Sequence, residues 1–268
     1  MGDTTIAWTD KTWNPTTGCT KVSAGCKNCY AERIFHRPYP GRTFTDVRTH
    51  SERLDQPLRW RKPCRIFVNS MSDLFHEDIS FDFVDRVFAA MIEANWHTYQ
   101  ILTKRPERML DYLDERQWHD PTDHIWLGVS VEDQATADER IPLLLQTPAA
   151  VRFVSYEPAL GPVDFSRWLT GHEENGIASG RPVGTCTKWE PPLDWVIVGG
   201  ESGPKARPFD LDWASQAIHQ CKTAGVPVFF KQYGSHPMFC GGRVHLNDRA
   251  GADPSEWLDC FRVQEFPQ

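Results

Sequence analysis

The chain has 268 residues, of which 40% are hydrophobic, and a formal net charge of -7 at pH 7. This is enough for one sizeable core, and an α/β barrel of this length can be a single domain. The negative charge argues against indiscriminate binding to nucleic acid, which needs a broad basic surface. No apolar run has membrane-spanning length, and the first residues lack a basic region followed by an apolar one. We therefore expect a cytoplasmic protein that does not bind a membrane.

The first predicted elements are a strand with a weak signal, at residues 6–8, and a loop that carries three cysteines. Cys19, Cys26 and Cys29 follow a C-x6-C-x2-C spacing in a stretch rich in Gly, Ser and Thr. In a reducing cytosol, clustered cysteines favour metal binding over disulfides, and the other five cysteines are scattered. Three thiolates rather than four predict a metal site with one coordination position left open.

Two kinds of metal centre fit three cysteines. Structural zinc usually takes four protein ligands, and His36, His50 or Cys64 could supply the fourth. A [4Fe–4S] cluster needs only the three cysteines if its fourth iron takes an exogenous ligand. The residues alone leave both alternatives open.

Strands and helices alternate along the rest of the chain. The predicted strands are short and almost continuously apolar, as in a parallel sheet covered on both faces: residues 65–70, 97–103, 124–130, 151–155, 194–199 and 226–231. The predicted helices are residues 81–95, 106–116, 133–146 and 210–224, the last with Gly225 as its C-cap. This alternation predicts right-handed βαβ units, and we expect an α/β fold with a partial or full parallel (β/α) barrel over residues 1–234.

Two segments depart from the alternation. Residues 170–192 are rich in Gly and Pro and predict a surface loop or disordered insertion. Residues 235–268 have little periodicity, and we expect them to form a C-terminal extension that covers the barrel.

Polar residues follow almost every predicted strand. Because the carboxyl ends of parallel strands meet at one edge of a barrel, these residues predict a shared ligand site. Glu132, Glu157 and Glu201 recur at matching offsets after their strands. Asp73, His76 and Glu77 are alternative metal ligands, but capping of the next helix by Asp78 or Ser80 is the commoner role for such residues.

Several motifs together resemble one family. They are WNPTTGC (residues 13–19), CKNCY (26–30), SMSDLF (70–75), LTKRP (102–106), WLGVS (126–130), SYEP (155–158), VGGESG (198–203) and FKQ (230–232). With them the chain resembles the phage Gp37/Gp68 family, a radical S-adenosylmethionine (SAM)-like group also described as three-Cys-motif proteins. The usual radical SAM loop is C-x3-C-x2-C with an aromatic residue before the last cysteine. Here the first gap is six residues and Tyr30 follows Cys29, which predicts a wider loop.

The resemblance implies a barrel of radical SAM type and an enzyme with two cofactors. Cys19, Cys26 and Cys29 would bind a [4Fe–4S] cluster, and SAM would bind the fourth iron and be reductively cleaved to a 5′-deoxyadenosyl radical. By position, the cofactor-binding residues would be Ser70, Ser72, Asp73, Ser130, Glu132 and Glu157. The residues facing the substrate would be Lys104, Arg105, Glu201, Arg207, Lys231 and Gln232, of which Lys104, Glu201 and Lys231 are the candidate catalytic residues.

The resemblance also implies partners. An external electron donor would be required, and a three-Cys-motif partner protein is expected. The association of the family with phages, and a loose similarity to spore photoproduct lyase, suggest nucleic-acid modification or repair. The competing hypotheses are a zinc-stabilised α/β protein and a noncatalytic phage or nucleic-acid interaction module.

Overall fold

Seven parallel strands form the central sheet of the computed structural model, which describes residues 4–118, 122–170, 172–174, 188–190 and 192–268. In chain order they are β1 (Lys11–Trp13), β2 (Arg65–Val68), β3 (Thr98–Thr103), β4 (Ile125–Val131), β5 (Val151–Tyr156), β6 (Trp195–Gly199) and β7 (Val228–Gln232). Each strand pairs with the next in parallel, so the order in the sheet is the order in the chain. The sheet curls into a half-barrel, and the expectation of an α/β fold with a partial parallel barrel is confirmed at this level.

The described helices lie between the strands in the chain, and most of them cover the outer face of the sheet, whereas the first packs apart from it against Met71 and Phe44. They are α1 (Tyr30–Phe35), α2 (Gln56–Arg59), α3 (Phe81–Glu93), α4 (Pro106–Glu115), α5 (Gln134–Leu145), α6 (Ser166–Leu169) and α7 (Leu211–Ala224). The Ser80 hydroxyl caps α3 by accepting from Phe83 N, one of the two predicted caps. Gly225 ends α7 with a left-handed φ of 72°, as predicted.

The inner face of the half-barrel is filled mainly by aromatic side chains. Phe67, Phe153, Trp195 and Phe229 alternate along their strands with residues that face the helices. Gly128 on β4 leaves room for this packing, since a Cβ there would lie 2.6 Å from the Phe153 ring. These packed rings therefore fill the inside of the half-barrel where they meet.

The prediction of a strand at residues 6–8 is wrong. Thr9 N donates to Ile6 O, which makes a turn, and Trp8 packs against Phe67 and Trp195 on the inner face. The edge strand is β1 instead, which lies five residues further on. Lys11 and Thr12, two of its three residues, are only partly buried, which suits an edge better than a central position.

Short elements complete the described part of the chain. Thr16–Thr17 pairs antiparallel with Arg48–Thr49, His172–Glu174 with Lys188–Glu190, and Pro237–Phe239 with Gly242–Arg243. Phe209–Asp210 pairs in parallel with Pro237–Phe239. One-turn 3₁₀ helices span Ala24–Cys26, Ser51–Arg53, Pro254–Glu256 and Asp259–Phe261. Most of the predicted insertion at residues 170–192 lies outside the described residues.

The C-terminal segment packs along β7 and the amino end of β6. Phe230 N donates to Val263 O, and Trp195 Nε1 donates to Glu265 O over 2.8 Å. The Phe266 ring lies against Trp195 and Phe229. The division of the chain at residue 234 stays a prediction. No described helix is long and apolar enough to cross a membrane.

Candidate functional site at the carboxyl edge of the sheet

The three cysteines lie on one loop, residues 18–30, which we call the cysteine loop. It follows β1 and therefore starts at the carboxyl edge of the sheet. Gly18 has a φ of 89° and lies so close to the Asp46 carbonyl that a Cβ would be 2.6 Å from its oxygen. Only glycine adopts this conformation there without strain. Cys29 precedes the first turn of α1, so the loop ends on a helix.

One cavity of about 150 Å³ brings the cysteines together with the residues predicted at the strand ends. Cys19, Cys26 and Cys29 all line it. So do six of the strand-end residues: Ser70, Ser72, Asp73, Lys104, Arg105 and Ser130. Within the described ranges, no three His, Cys, Asp or Glu side chains are grouped closely enough to hold a metal ion.

Burial keeps the thiols of Cys19 and Cys29 protonated in the protein alone. It raises the pKa of Cys19 to about 12, with a further contribution from the Asp73 carboxylate and an opposing one from Arg105. Burial also raises the pKa of Cys29. The Cys19 thiol donates to Thr20 O over 3.4 Å, and Arg105 Nη1 lies 3.6 Å from Cys19 Sγ. Binding of a metal centre would therefore release protons from these thiols.

Two of the three candidates for a fourth zinc ligand bond to other groups. Cys64 directly precedes β2, so it lies at the amino edge of the sheet, and its Sγ is 3.3 Å from His97 Nδ1. His50 Nε2 lies 2.8 Å from Thr17 Oγ1, and its Nδ1 is 3.0 Å from Glu52. His36 caps the C-terminus of α1.

Asp73 organises the wall of the cavity beside Cys19. Its carboxylate is buried and accepts hydrogen bonds from Thr103 Oγ1, at 2.8 Å, and from the backbone nitrogens of Phe75 and Lys104. It also pairs with Arg105 Nη1 at 3.3 Å. Arg105 in turn bonds Glu77 and Thr20, so the guanidinium joins the end of β3 to the cysteine loop.

Ser70 and Ser72 attach the segment just before the cysteine loop to the end of β2. The Ser70 hydroxyl exchanges hydrogen bonds with the Asn14 side chain, and the Ser72 hydroxyl donates to Thr16 O. His76 is fully buried, where Asp78 N donates to its Nδ1 and its Nε2 lies 2.8 Å from Thr20 Oγ1. These contacts give His76 and Glu77 a positioning role at the loop rather than a metal site.

Glu132 joins the cysteine loop to β4 and α5. Its side chain is inaccessible to solvent, and its carboxylate contacts Ser23 Oγ at 2.9 Å, Lys104 Nζ at 3.2 Å and Arg140 Nη1 at 3.3 Å. Gly25 faces it closely, since a Cβ on Gly25 would lie 2.3 Å from Glu132 Oε1. The loop can approach the sheet here only because residue 25 has no side chain.

The other two strand-end glutamates also pair with cations. Glu157 accepts from Lys231 Nζ at 2.6 Å and from Gln232 Nε2 at 3.3 Å. Glu201 makes a two-pronged pair with Arg207, at 2.7 and 3.1 Å. The predicted catalytic residues Lys104, Lys231 and Glu201 thus each belong to an ion pair.

Glu201 holds the second half of the cysteine loop. Asn28 Nδ2 donates to Glu201 Oε2 over 3.0 Å, and Arg207 Nη1 donates to Ala24 O over 2.8 Å. Burial on its own raises the pKa of Glu201, but the hydrogen bonds from Arg207 and Asn28 outweigh it and hold the pKa below the ordinary value.

Three residues of the site do not stand out in the sequence. Gly25 is one of several small residues around the cysteines, and Arg140 lies in the middle of a helix. Asn69, at the end of β2, lines the cavity with a left-handed φ of 64°, and its buried Nδ2 has no partner among the described residues. Its position directly before Ser70, a predicted site residue, is the one sequence signal that could have identified Asn69 as part of the site.

A family model described as "protein of unknown function (DUF5131)" matches residues 3–253. Neither the curated proteins nor the solved structures gave a match. The matched segment includes the cysteine loop and all seven strands of the sheet. The chain therefore belongs to the uncharacterised family DUF5131.

Proposed function

We propose that the protein is a radical SAM-like iron–sulfur enzyme. Cys19, Cys26 and Cys29 would hold a [4Fe–4S] cluster, and SAM would occupy the adjoining cavity. The observation that carries the proposal is that all three cysteines line one cavity with polar residues from three strand ends of a parallel half-barrel. The resemblance of the chain's motifs to those of the phage Gp37/Gp68 family is our reason for proposing a barrel of radical SAM type.

The donor set fits such a cluster. Each thiolate of a [4Fe–4S] centre binds a different iron, so the three sulfurs do not need to meet at one metal ion. When bound, the cluster would supply the electron that cleaves SAM to methionine and a 5′-deoxyadenosyl radical. That electron requires an external donor, which we include among the partners, with a three-Cys-motif protein as a further candidate.

The chain's own residues position and tune the site. Arg105 is held by Asp73 and Glu77, so its guanidinium stays beside Cys19 Sγ. A positive donor to a ligating sulfur stabilises the thiolate and favours the reduced state of a bound centre. Lys104 brings a second positive charge to the cavity wall and is kept there by Glu132.

Small polar side chains also line the cavity. Ser130 lines the cavity at the end of β4, and Ser70 and Ser72 line it at the end of β2. Hydroxyl groups in these places suit the carboxylate, amino and ribose groups of SAM. Glu132 and Glu157 are also proposed cofactor ligands, although both carboxylates already pair with protein cations.

Anaerobic reconstitution with iron and sulfide tests the metal centre. We expect about four irons per chain for a [4Fe–4S] centre and a reduced-cluster signal in electron paramagnetic resonance. Cys19→Ala, Cys26→Ala and Cys29→Ala should each lose the signal. Cys240→Ala and Cys260→Ala are matched controls, because both cysteines are exposed and distant in sequence, and they should keep it.

Two outcomes would contradict the cluster. Retention of iron by all three loop variants would show that the cysteines are not the ligands. Stoichiometric zinc after strictly anaerobic purification, lost from the same variants, would favour the zinc-stabilised protein. A cluster that forms but never supports SAM cleavage would favour a noncatalytic interaction module.

A further inference from the structure

A second cavity, of about 310 Å³, lies on the other side of the cysteine loop. It is bounded by the start of α1 and by the segment that follows β6. Cys29 and Glu32 line both cavities, so the two share a wall. The remaining lining residues are Lys27, Asn28, Arg33, Ser202, Pro204, Lys205 and Ala206. Its volume is at the lower end of the ~300–1,000 Å³ typical of ligand pockets.

The charges around this cavity are mostly positive. Lys27, Arg33 and Lys205 line it, and the one carboxylate among the lining residues, Glu32, is already paired with Lys21 at 3.0 Å. Among the residues that the structure describes, the ammonium groups of Lys27 and Lys205 have no hydrogen-bond or ion-pair partner. The chain has 36 acidic and 29 basic residues, so its charge is negative on average. The three cations at this cavity therefore differ in sign from the charge of the whole chain.

The cavity is also held in a fixed shape. Arg33 Nη1 donates to Ser202 O over 3.1 Å, and the guanidinium makes no other hydrogen bond within the described residues. Gly203 permits this contact, because a Cβ there would lie 1.6 Å from Arg33 Nη1. Asn28 bonds both Glu201 and Lys205 O, so the loop side of the cavity is fixed as well. An arginine held in place beside two lysines suits the oxygens of a phosphate group.

We propose that this second cavity binds the phosphate group of the substrate, which is a phosphate ester. The shared wall at Cys29 would place that ester beside the cysteine loop. Its role as substrate rests on the proposed function, whereas its binding does not require the cluster. A nucleotide and a nucleic-acid strand carry the same phosphate chemistry, and the binding experiment separates these two sources.

Calorimetric titration of the full chain with uridine 5′-monophosphate, and with uridine, tests the phosphate contact. A uridine probe avoids competition for any adenine site in the first cavity. The monophosphate should bind, and uridine should bind at least tenfold more weakly. Lys27→Gln/Lys205→Gln should weaken monophosphate binding about tenfold, as expected for loss of charge-assisted hydrogen bonds. Lys62→Gln/Lys222→Gln, with the same charge change at exposed positions elsewhere, should bind like the wild type.

A short single-stranded oligodeoxynucleotide distinguishes the two sources. If the natural ligand is a strand, it should bind more tightly than the monophosphate. The magnitude of the negative slope of log affinity against log salt should then fall by about 0.7 for each lysine removed from a phosphate contact. Tighter binding of the monophosphate would identify a small phosphate ester. The proposal would be overturned if neither probe bound, or if the Lys27/Lys205 double variant bound the probes as tightly as the wild type.

The result can be separated from the proposed function. Release of 5′-deoxyadenosine from SAM needs no phosphate ester and is measured without one. A protein that cleaves SAM but binds neither probe would refute only the phosphate site. A protein that binds the monophosphate through Lys27 and Lys205 but holds no cluster would refute only the radical chemistry.

Discussion

At the scale of single residues, Glu132 connects three parts of the site. Its buried carboxylate pairs with Lys104 and Arg140 and accepts from Ser23 on the cysteine loop. Removing one partner of a buried ion pair leaves the other charge uncompensated. We expect Glu132→Gln to lower the free energy of unfolding by about 3 kcal/mol, measured by urea denaturation.

Glu139→Gln is the matched control for this substitution. Glu139 also contacts Arg140, at 3.8 Å, but its side chain is 60% exposed. Exposed pairs contribute little, so the change should stay within about 0.5 kcal/mol. Equal effects of the two substitutions would mean that the buried network does not stabilise the fold.

Gly25 gives a second prediction at this scale. A Cβ at this position would overlap Glu132, which is held by its cations and has little freedom to move away. Gly25→Ala should therefore destabilise the protein by about 2 kcal/mol and reduce cluster retention after reconstitution. Gly242→Ala is the control, because the nearest atom to its Cβ would be at an ordinary 3.7 Å. Wild-type stability of Gly25→Ala would show that the loop does not dock against Glu132.

At the scale of elements, the cysteine loop is held by Glu201, and this attachment should depend on pH. Because the folded-state pKa of Glu201 lies below 4.5, the stabilisation is fully present above pH 4.5. It is lost as the pH falls from 4.5 through the lower folded-state value. Unfolding free energies should therefore show Glu201→Gln less stable than the wild type at neutral pH, with a difference that shrinks in acid.

The control for the pH dependence is Glu115→Gln. Glu115 also pairs with an arginine, Arg116, but its side chain is 57% exposed. This variant should follow the wild type throughout the titration. A Glu201→Gln difference that is the same at neutral pH and in acid would contradict the assignment of the pairing to the ionised carboxylate.

The elements also show how far sequence patterns reach. The six apolar segments became β2 to β7 because a strand buried on both faces needs apolar residues at nearly every position. The same rule failed for the first strand. Residues 6–8 are apolar because Trp8 fills the inner face, while β1, at the edge, tolerates Lys11 and Thr12.

At the scale of the whole molecule, the sequence located the edge of the sheet that carries the site but not the contacts within it. Parallel strands place their carboxyl ends together, so Ser70, Asp73 and Ser130 could be assigned to one edge from their spacing alone. The contact of Gly25 with Glu132 joins residues far apart in the chain and depends on how the loop folds back. The second cavity arises in the same way, from α1 meeting the segment after β6.

The most direct measurement of the central claim is 5′-deoxyadenosine release from SAM under a strong reductant in the absence of oxygen. The reconstituted wild-type protein should release it, and Cys26→Ala treated in the same way should not. Release that is equal in the two proteins, or none from a wild-type protein shown to carry its full complement of iron and sulfide, would contradict the account.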